Sequence, residues 1–336
     1  MMKKGLWLAA CMLLLGGCAS GTPSAAQTAG DRPVMVGFSQ VGAESEWRVT
    51  NTKSMKAALS EENGYELFFD DARNDQENQI KAIRTFILQG VDYIVFSPRV
   101  ETGWTTVLQE AKDAGIPVIM IDRDIEPAAK CLITSFVGSD FRAEGEKAVK
   151  WLENHLEKQG KTADPVNIVH IQGTIGSTAQ VGRTGALDDA LGRHSNWNKI
   201  HTVDGDFTRA KAYEVMASFL TQRKDIDVVY CENDGEALGA IDAMEEAGLK
   251  CDAESGVIVI SFDATTAALK RCFEKKIALD VECNPLQGPY VDEIIQKLER
   301  IKKRQSTETV EKAKYIEETV FDYITITQAM IEGREY

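Results

Sequence analysis

Polar and charged side chains follow the short apolar runs of this sequence at six points. The six points are Ser39-Gln40 with the following Glu44-Ser45-Glu46-Trp47-Arg48, then Ser97-Pro98-Arg99, Asp122-Arg123, Gly173-Thr174, Asn233-Asp234 and Asp263. Carboxylates accept hydrogen bonds, guanidinium groups donate them in forks, and amides do both. A sugar needs this mixture for its hydroxyls, together with an aromatic ring against its apolar C–H face. One or two such points could be helix caps, but six predict a cleft that binds a small sugar.

The candidate binding residues are acceptors, donors, one amide and two aromatic rings. They are Glu44, Trp47, Arg48, Ser97, Asp122, Arg123, Arg183, Phe207, Asn233, Asp263 and Glu282. A sugar hydroxyl that found no partner among them would leave a buried polar group, at a cost of about 1–3 kcal/mol. We therefore expect the site to discriminate between sugars.

Some of these residues also have a purely structural interpretation. Trp47 and Phe207 could fill the core at the end of a sheet, because aromatic residues often do so; the neighbouring Arg48 and Asp206 favour ligand contact. Asp122 and Arg123 could form an ion pair below the cleft, but their position after a strand and before a turn favours contact. Of Asn233 and Asp234, we expect one to cap a helix and the other to bind.

Other chemistries receive little support. The run GTIGST at 173–178 is glycine-rich but lacks the lysine of a phosphate-binding loop, so we interpret it as a tight turn beside the sugar. The four histidines are scattered, and the five cysteines from Cys131 onward show no C-x-x-C spacing. We predict no metal site and no cofactor, and we expect buried, unreactive thiols.

The elements that must position these residues follow from the pattern of apolar runs. Runs rich in Val, Ile and Phe alternate with segments of helical spacing, which predicts βαβ units and parallel sheets. The runs are VMVGFS, YELFF, VDYIVFS, PVIMID, VNIVHI, DVVYC and VIVISF. Ligands bind at the carboxyl ends of such strands, where the polar residues lie.

The amino-terminal region predicts export. Met-Met-Lys-Lys precedes an apolar stretch from Leu6 to Leu15, which is shorter than the ~20 residues of a membrane-spanning helix. Leu15-Gly16-Gly17-Cys18 resembles a lipobox, in which Cys18 is acylated; ordinary secretion is the alternative. We expect a signal peptide at 1–18 and a flexible tether at 19–33. The net charge of −14 argues against a nucleic-acid partner.

Several of these stretches resemble the periplasmic sugar-binding proteins of the ribose-binding type, and within them the galactofuranose-binding branch. The resemblance runs from about Val34 to Lys303. Its carriers are GFSQVGAESEWR at 37–48, QENQIKAIRTFILQGVDYI at 76–94, TGW at 102–104, IDRDI at 121–125, DGDFTRAK at 204–211, ENDGEALGAI at 232–241 and SFDA at 261–264.

The resemblance implies an α/β fold of two Rossmann-like lobes (periplasmic binding protein type I), each a parallel sheet flanked by helices, joined by a hinge. It implies a first lobe of 34–139 plus 282–325 and a second lobe of 140–281. It also implies that sugar hydroxyls are held by Asp122, Arg123, Arg183, Asn233, Asp263 and Glu282, with contacts from Trp47, Arg48 and Phe207.

The expected function is therefore that of an extracytoplasmic solute-binding lipoprotein of an ABC-type sugar importer. We expect it to bind a monosaccharide, galactofuranose or a related simple sugar, and to work with ABC permease and ATPase subunits at the membrane. An alternative is a receptor that presents sugar to a chemotaxis or kinase partner.

Two further functions are disfavoured. A glycosidase could use Asp122 and Asp263 as its carboxylate pair, but no hydrolase signature is recognisable and the Asp-Arg pairing favours an ionised acceptor. A sugar-sensing transcription regulator would need a basic DNA-binding segment before Val34, where the secretion signal lies. We therefore expect a binding protein that is not an enzyme.

Overall fold

The computed structural model of the protein describes residues 32–336. The predicted signal peptide, most of the predicted tether and the predicted acylation site at Cys18 lie outside the described residues. Within the described part of the chain, none of the helices combines the length and apolarity needed to span a bilayer. Strands and helices are numbered below in chain order.

The first lobe is built on a six-stranded sheet in which every neighbouring pair of strands is parallel. In spatial order its strands are β2 (Tyr65–Asp71), β1 (Val34–Gln40), β3 (Tyr93–Phe96), β4 (Val118–Asp122), β5 (Ser135–Gly138) and β11 (Ala313–Tyr315). Its helices are α1 (Glu46–Ala58), α2 (Gln76–Gln89), α3 (Thr105–Asp113) and α9 (Gly288–Lys302), with short 3-10 turns at Glu61–Asn63 and Pro127–Leu132.

The second lobe repeats this plan, except that its last strand is antiparallel. In spatial order its strands are β7 (Trp197–Asp204), β6 (Val166–Gln172), β8 (Val228–Cys231), β9 (Ile258–Asp263), β10 (Leu279–Glu282) and β12 (Val320–Asp322). Its helices are α4 (Phe141–Lys158), α5 (Thr178–Arg193), α6 (Arg209–Leu220), α7 (Asp234–Glu246), α8 (Thr266–Phe273) and α10 (Gln328–Glu332).

Both faces of each sheet are covered by apolar packing, as parallel sheets require. In β3, Ile94 and Phe96 pack on one face against Trp104, while Val95 packs on the other face with Met55. The sequence of the strand is therefore a continuous apolar run rather than an alternating one. Such continuous runs made the central strands predictable from the sequence.

The two-lobe fold of parallel sheets that the sequence predicted is confirmed, and all seven predicted strands form. The sequence did not reveal β5, β7, β10, β11 and β12. Two of these carry polar residues that hid them: β7 lies at a sheet edge and is mostly polar, and β10 buries Asp280. Gly64, Gly90, Gly115, Gly160 and Gly248 follow helical segments and have positive φ, as at Gly90, which ends α2 at 67°.

The chain crosses between the two sheets three times, after β5, after β10 and between β11 and β12. The prediction placed residues up to 325 in the first lobe, but β12 pairs with β10 of the second sheet. The reason is that Val320–Asp322 supplies an antiparallel edge strand that completes the second sheet. Passages near Ser139 and Glu282 remain our proposed lobe boundaries.

Four of the five described cysteines are buried free thiols, as expected, but Cys131 is exposed. Its exposure corrects the prediction that these thiols are all buried. Cys131 lies in the short 3-10 turn Pro127–Leu132 at the surface, where its thiol contacts only a backbone carbonyl.

Candidate functional site

The candidate site lies where the strand order reverses in each lobe. In the first sheet β1 and β3 are neighbours and lead to helices on opposite faces, and β6 and β8 do the same in the second sheet. Such a reversal leaves a crevice beyond the carboxyl ends of the strands, and ligands bind there. The polar residues that the sequence singled out follow these strands.

Nine of the eleven predicted binding residues surround one small cavity between the lobes. We call them the cleft cluster: Glu44, Trp47, Arg48, Asp122, Arg123, Arg183, Phe207, Asn233 and Asp263. Ser97 lies directly behind the cluster and donates a hydrogen bond from its hydroxyl to Asp122 Oδ2 over 2.9 Å. The structure does not bring Glu282 into the cluster.

In the first lobe, Arg48 is the centre of a buried ion-pair network. Its Nη1 lies 2.7 Å from Asp122 Oδ2, and its Nε donates to Glu44 Oε1 over 3.0 Å. Burial acts to lower the pKa of Arg48, but the carboxylates of Asp122 and Glu44 outweigh it and raise that pKa above its ordinary value. The network therefore holds a charged guanidinium in the cleft, with carboxylates from the loop before α1 and from the end of β4.

Arg123 links the two lobes through an aromatic contact. Its Nη1 donates to the carbonyl oxygen of Arg99 over 3.0 Å, and its guanidinium carbon lies 5.2 Å from the centre of the Phe207 ring. Burial, followed by repulsion from Arg48, lowers the pKa of Arg123 to about 10, so the group stays protonated at neutral pH. A guanidinium on an aromatic face is a favourable cation–π arrangement.

In the second lobe, Arg183 is held by Glu144. Its Nε and Nη2 both lie 2.7 Å from Glu144 Oε2, while Nη2 lies 3.8 Å from Asp263 Oδ1. Burial raises the pKa of Asp263 well above its ordinary value despite the opposing effect of Arg183. Glu144 thus positions the guanidinium of Arg183. Asp263 presents to the cavity a carboxyl group whose pKa is raised.

Asn233 both caps a helix and faces the cavity. Its Oδ1 accepts from the backbone N–H of Glu236 over 2.8 Å at the start of α7, and its Nδ2 donates to the carbonyl oxygen of Phe207 over 3.1 Å. The neighbouring Asp234 instead accepts from Ser261 and Thr265. Asn233, and not Asp234, therefore caps α7.

The aromatic residues form a wall that includes members of both lobes. Trp47 and Phe207 are buried in a small cluster with Phe141, Ala179 and Cys283. Trp47 Nε1 donates to the carbonyl oxygen of Cys283 over 2.6 Å, and its ring lies 4.7 Å from the guanidinium carbon of Arg48. Both rings line the cavity, so they belong to the cleft rather than to either sheet's core.

Backbone strain is concentrated at this cleft. Asp122 has φ 63°, Phe207 has φ 59° and Asp263 has φ 115°, although none of them is glycine. Such conformations cost of order 1–3 kcal/mol each and persist where the surroundings enforce them, often at binding sites. Here they turn three side chains of the cleft cluster away from the strand direction and toward the cavity.

Glu282 lies outside the cleft cluster and contacts the end of the chain. Its Oε1 accepts from Arg334 Nη1 and from the Tyr336 hydroxyl, each over 2.8 Å, and its Oε2 accepts from the Thr319 N–H over 2.8 Å. Burial alone would raise the pKa of Glu282, but these donors lower it. The carboxylate therefore anchors the last described segment of the chain, which the sequence could not place.

The cleft is closed, with direct contacts between the lobes. Asn74 Nδ2 donates to Asp206 Oδ2 over 3.2 Å, and the Asp124 N–H donates to Thr178 Oγ1 over 3.0 Å. The GTIGST turn also accepts a bond at Gly176 O from the Glu101 N–H over 3.0 Å. The turn thus meets the opposite lobe beside the cleft cluster.

The space inside the cleft cluster measures about 20 Å³, and a larger pocket of about 530 Å³ adjoins it. The inner volume is roughly what one water molecule needs. The polar groups of the two lobes consequently face one another closely. A ligand larger than water needs the lobes or these side chains to separate before it can enter.

A buried carboxyl pair lies beside the cleft, and sequence reasoning missed it. Glu144, Cys283 and Glu318 bring their ligand-type atoms within 4.8 Å of one another. Burial, together with the nearby Glu144, raises the pKa of Glu318 to about 9, and burial also raises that of Glu144. Two such carboxyls share a proton more readily than they bind a cation beside Arg183. No local motif marks this pair, because its members are far apart in the chain.

Two parallel-sheet lobes, three crossing segments and a polar cluster buried between the lobes define the class of two-lobe binding proteins. The chain belongs to the periplasmic binding protein family, because the family described as "Periplasmic binding protein domain" matches residues 36–282. This agrees with the resemblance seen in the sequence.

Relatives of known description support the assignment. The chain is 40% identical over 264 residues to the galactofuranose-binding protein YtfQ of Escherichia coli K12. The aligned region covers 77% of this chain and 80% of that protein. The chain is 28% identical over 261 residues to the ribose import binding protein RbsB of Bacillus subtilis, covering 76% and 79%.

Two solved structures of sugar-binding proteins are also similar to this chain. The arabinose ABC transporter's periplasmic binding component from Shewanella sp. ANA-3, bound to L-arabinofuranose, is 36% identical with a TM-score of 0.79, covering 90% of this chain and 95% of that one. A galactofuranose-binding protein is 35% identical with a TM-score of 0.82, covering 90% and 99%.

Proposed function

We propose that this protein is an extracytoplasmic solute-binding lipoprotein of an ABC-type sugar importer, and that it binds galactofuranose or a related simple sugar between its lobes. The observation that carries the proposal is the cleft cluster, in which charged, amide and aromatic groups from both lobes meet around one cavity. The relatives described as binding galactofuranose and arabinofuranose support the choice of ligand.

In this proposal, each group of the cleft cluster has a role in holding the sugar. Arg48, Arg123 and Arg183 donate to hydroxyl oxygens, whereas Asp122 and Asp263 accept from hydroxyl hydrogens. Phe207 and Trp47 pack against the C–H faces of the ring. Because every donor is already oriented by a protein partner, the sugar meets a preorganised site and loses little binding free energy to ordering it.

Sugar entry is coupled to a hinge motion. The three crossing segments let the lobes move apart, which breaks the contacts between Asn74 and Asp206 and between Asp124 and Thr178. Closed lobes then contact the sugar from both sides, and this difference in affinity stabilises the closed form. A transporter that recognises the closed lobes therefore recognises the loaded protein.

Asp122 is arranged for binding rather than for hydrolysis. Asp122 is an ion-pair partner of Arg48 and an acceptor for Ser97. A general acid for glycoside cleavage must instead donate a proton to the leaving oxygen. The relatives named above are also described as binding proteins. We therefore propose a role without catalytic turnover, which incubation with furanosides would test by product analysis.

Isothermal titration of the purified protein with galactose, arabinose and ribose tests the binding function. We expect at least one furanose-forming sugar to bind, and Asp122→Ala and Arg183→Ala to weaken it by at least about 30-fold, as removal of a buried charged partner does. Arg84→Ala, in an exposed ion pair with Glu110, is the matched control and should bind as the wild type does. Wild-type affinity in both cleft variants would refute the site.

The anchor and the transporter need separate experiments in cells. Replacing Cys18 by Ser should release the protein from the membrane fraction if Cys18 is acylated. Deleting the protein should abolish uptake of the bound sugar if it serves an importer. Normal uptake together with a lost sugar response would instead support the receptor alternative.

A further inference from the structure

The pocket that adjoins the cleft cluster is larger than a monosaccharide site requires. It measures about 530 Å³ and shares Glu44, Trp47, Phe207 and Asp263 with the inner cavity. Pockets of about 300–1,000 Å³ are typical for ligands of drug size. We call this space the outer pocket; its additional walls come from Val49, Thr50, Lys53, Arg209, Leu238 and Tyr336.

We propose that the outer pocket binds a second sugar unit, linked to the sugar whose ring occupies the cleft, so that the protein accepts a short glycoside as well as a free monosaccharide. This inference rests on the proposed function. The shared walls provide the argument for continuity, since Trp47 and Phe207 border both spaces. A substituent on the bound ring would pass these two aromatic rings into the outer pocket.

Both lobes and the last described segment contribute to the outer pocket. Val49, Thr50 and Lys53 lie on α1 of the first lobe. In the second lobe, Arg209 begins α6 and Leu238 lies in the second turn of α7. Tyr336 is brought in from beyond α10, because its carbonyl oxygen accepts from the Thr266 N–H over 2.7 Å and its hydroxyl is bound to Glu282. A second sugar unit would therefore also contact both lobes.

The second lobe's side of the outer pocket suits a hydroxyl-rich group. Arg209 is paired with Asp242 over 2.6 Å, and Asp234 accepts bonds from Ser261 and Thr265. Asp242 offsets the charge of Arg209, and uncharged donors hold the Asp234 carboxyl in place. Tyr336, Trp47 and Phe207 supply aromatic faces, which carbohydrate rings use for packing. On the second lobe's side, Arg209 is therefore not a free cation for a phosphate or carboxylate extension.

The test compares free sugars with matched disaccharides by isothermal titration of the full chain. The probes are galactose with a disaccharide of two linked galactofuranose units, and arabinose with a disaccharide of two linked arabinofuranose units. We expect the disaccharide of the preferred sugar to bind within about tenfold of the free sugar, or more tightly. Val49→Trp and Thr50→Trp, which fill the outer pocket, should lower the disaccharide-to-monosaccharide affinity ratio at least about tenfold.

Ala57→Trp is the matched control, because it places the same side chain at an exposed position of α1 outside the pocket. It should leave both affinities and their ratio unchanged. Val49 is already 37% exposed, so its variant tests the inference even if Thr50→Trp fails to fold. Binding of the free sugar but not of the disaccharide would overturn the inference and leave the proposed function intact. An unchanged ratio in both filled variants would also overturn it, and no binding of any probe would overturn both proposals.

Discussion

Arg48 Nη1 lies 2.7 Å from Asp122 Oδ2, and both side chains are almost completely buried. The pair joins the first turn of α1 to the end of β4, across the reversal point of the first sheet. Removing one partner of such a pair leaves an uncompensated buried charge. The same two side chains therefore stabilise the first lobe and belong to its proposed sugar-binding site.

Asp122→Ala should lower the free energy of unfolding by up to about 3–5 kcal/mol, because it removes one of the two carboxylates paired with Arg48 and places alanine at φ 63°. Asp122→Asn keeps the shape and tolerates this backbone conformation, so its loss should be smaller. Urea denaturation of both variants measures the difference. The control is Glu110→Ala in the exposed pair with Arg84. Equal stability of Asp122→Ala and the wild type would show that the pair is not what holds Arg48.

Asn74→Asp should weaken sugar binding by about three- to tenfold, since it sets a carboxylate against Asp206 only when the lobes are closed. Aspartate keeps the acceptor that Arg99 uses and tolerates the φ of 59° at this position. Stopped-flow kinetics should assign most of the loss to faster dissociation. Adding Asp206→Asn should restore affinity. A loss that the second change does not rescue would argue against a contact that acts through closure.

Glu318→Gln should make the protein more stable than the wild type at neutral and alkaline pH. The pKa of Glu318 is raised from its ordinary value to about 9, so its protonated form is the one that the fold stabilises. That contribution is complete below about pH 4.5 and is lost as the pH rises toward 9. The stability difference between variant and wild type should therefore grow by at least about 1 kcal/mol between pH 5 and pH 9. Denaturation at several pH values measures it.

The control for this pH experiment is the neighbouring Glu317→Gln, whose side chain is exposed. Its stability difference should stay flat over the same range. Glutamine at 318 can still accept from Ser139 and from the Asn284 N–H while donating to Glu144. A flat curve for Glu318→Gln would mean that the two carboxyls do not share a proton.

Glu282→Gln should destabilise the protein but leave sugar affinity within about threefold. The carboxylate accepts from Arg334, Tyr336 and Thr319, and hydrogen bonds to charged groups contribute about 1.5–3 kcal/mol each. Thermal melting and titration with the preferred sugar separate the two effects. If the affinity fell as far as in Asp122→Ala, Glu282 would be a ligand contact after all.

The amino-acid sequence by itself determined the two-lobe α/β class and the group of residues in the cleft. Continuous apolar runs that alternate with helical segments indicate strands buried on both faces, and the polar residues that follow them gather at the carboxyl edge of a parallel sheet. That reasoning needed no contact information. Together with the family resemblance, it reached nine residues that the structure brings around one cavity.

Only the tertiary structure decided which carboxylates face that cavity and which hold the fold. Glu282 and Asp263 end neighbouring strands and look alike in sequence, yet the former binds Arg334 and Tyr336 while the latter turns into the cleft at φ 115°. The partnership of Glu144 with Arg183 and Glu318 was equally invisible. Pairings between distant segments depend on how sheets, helices and crossing strands pack in three dimensions, and no local pattern of residue types encodes them.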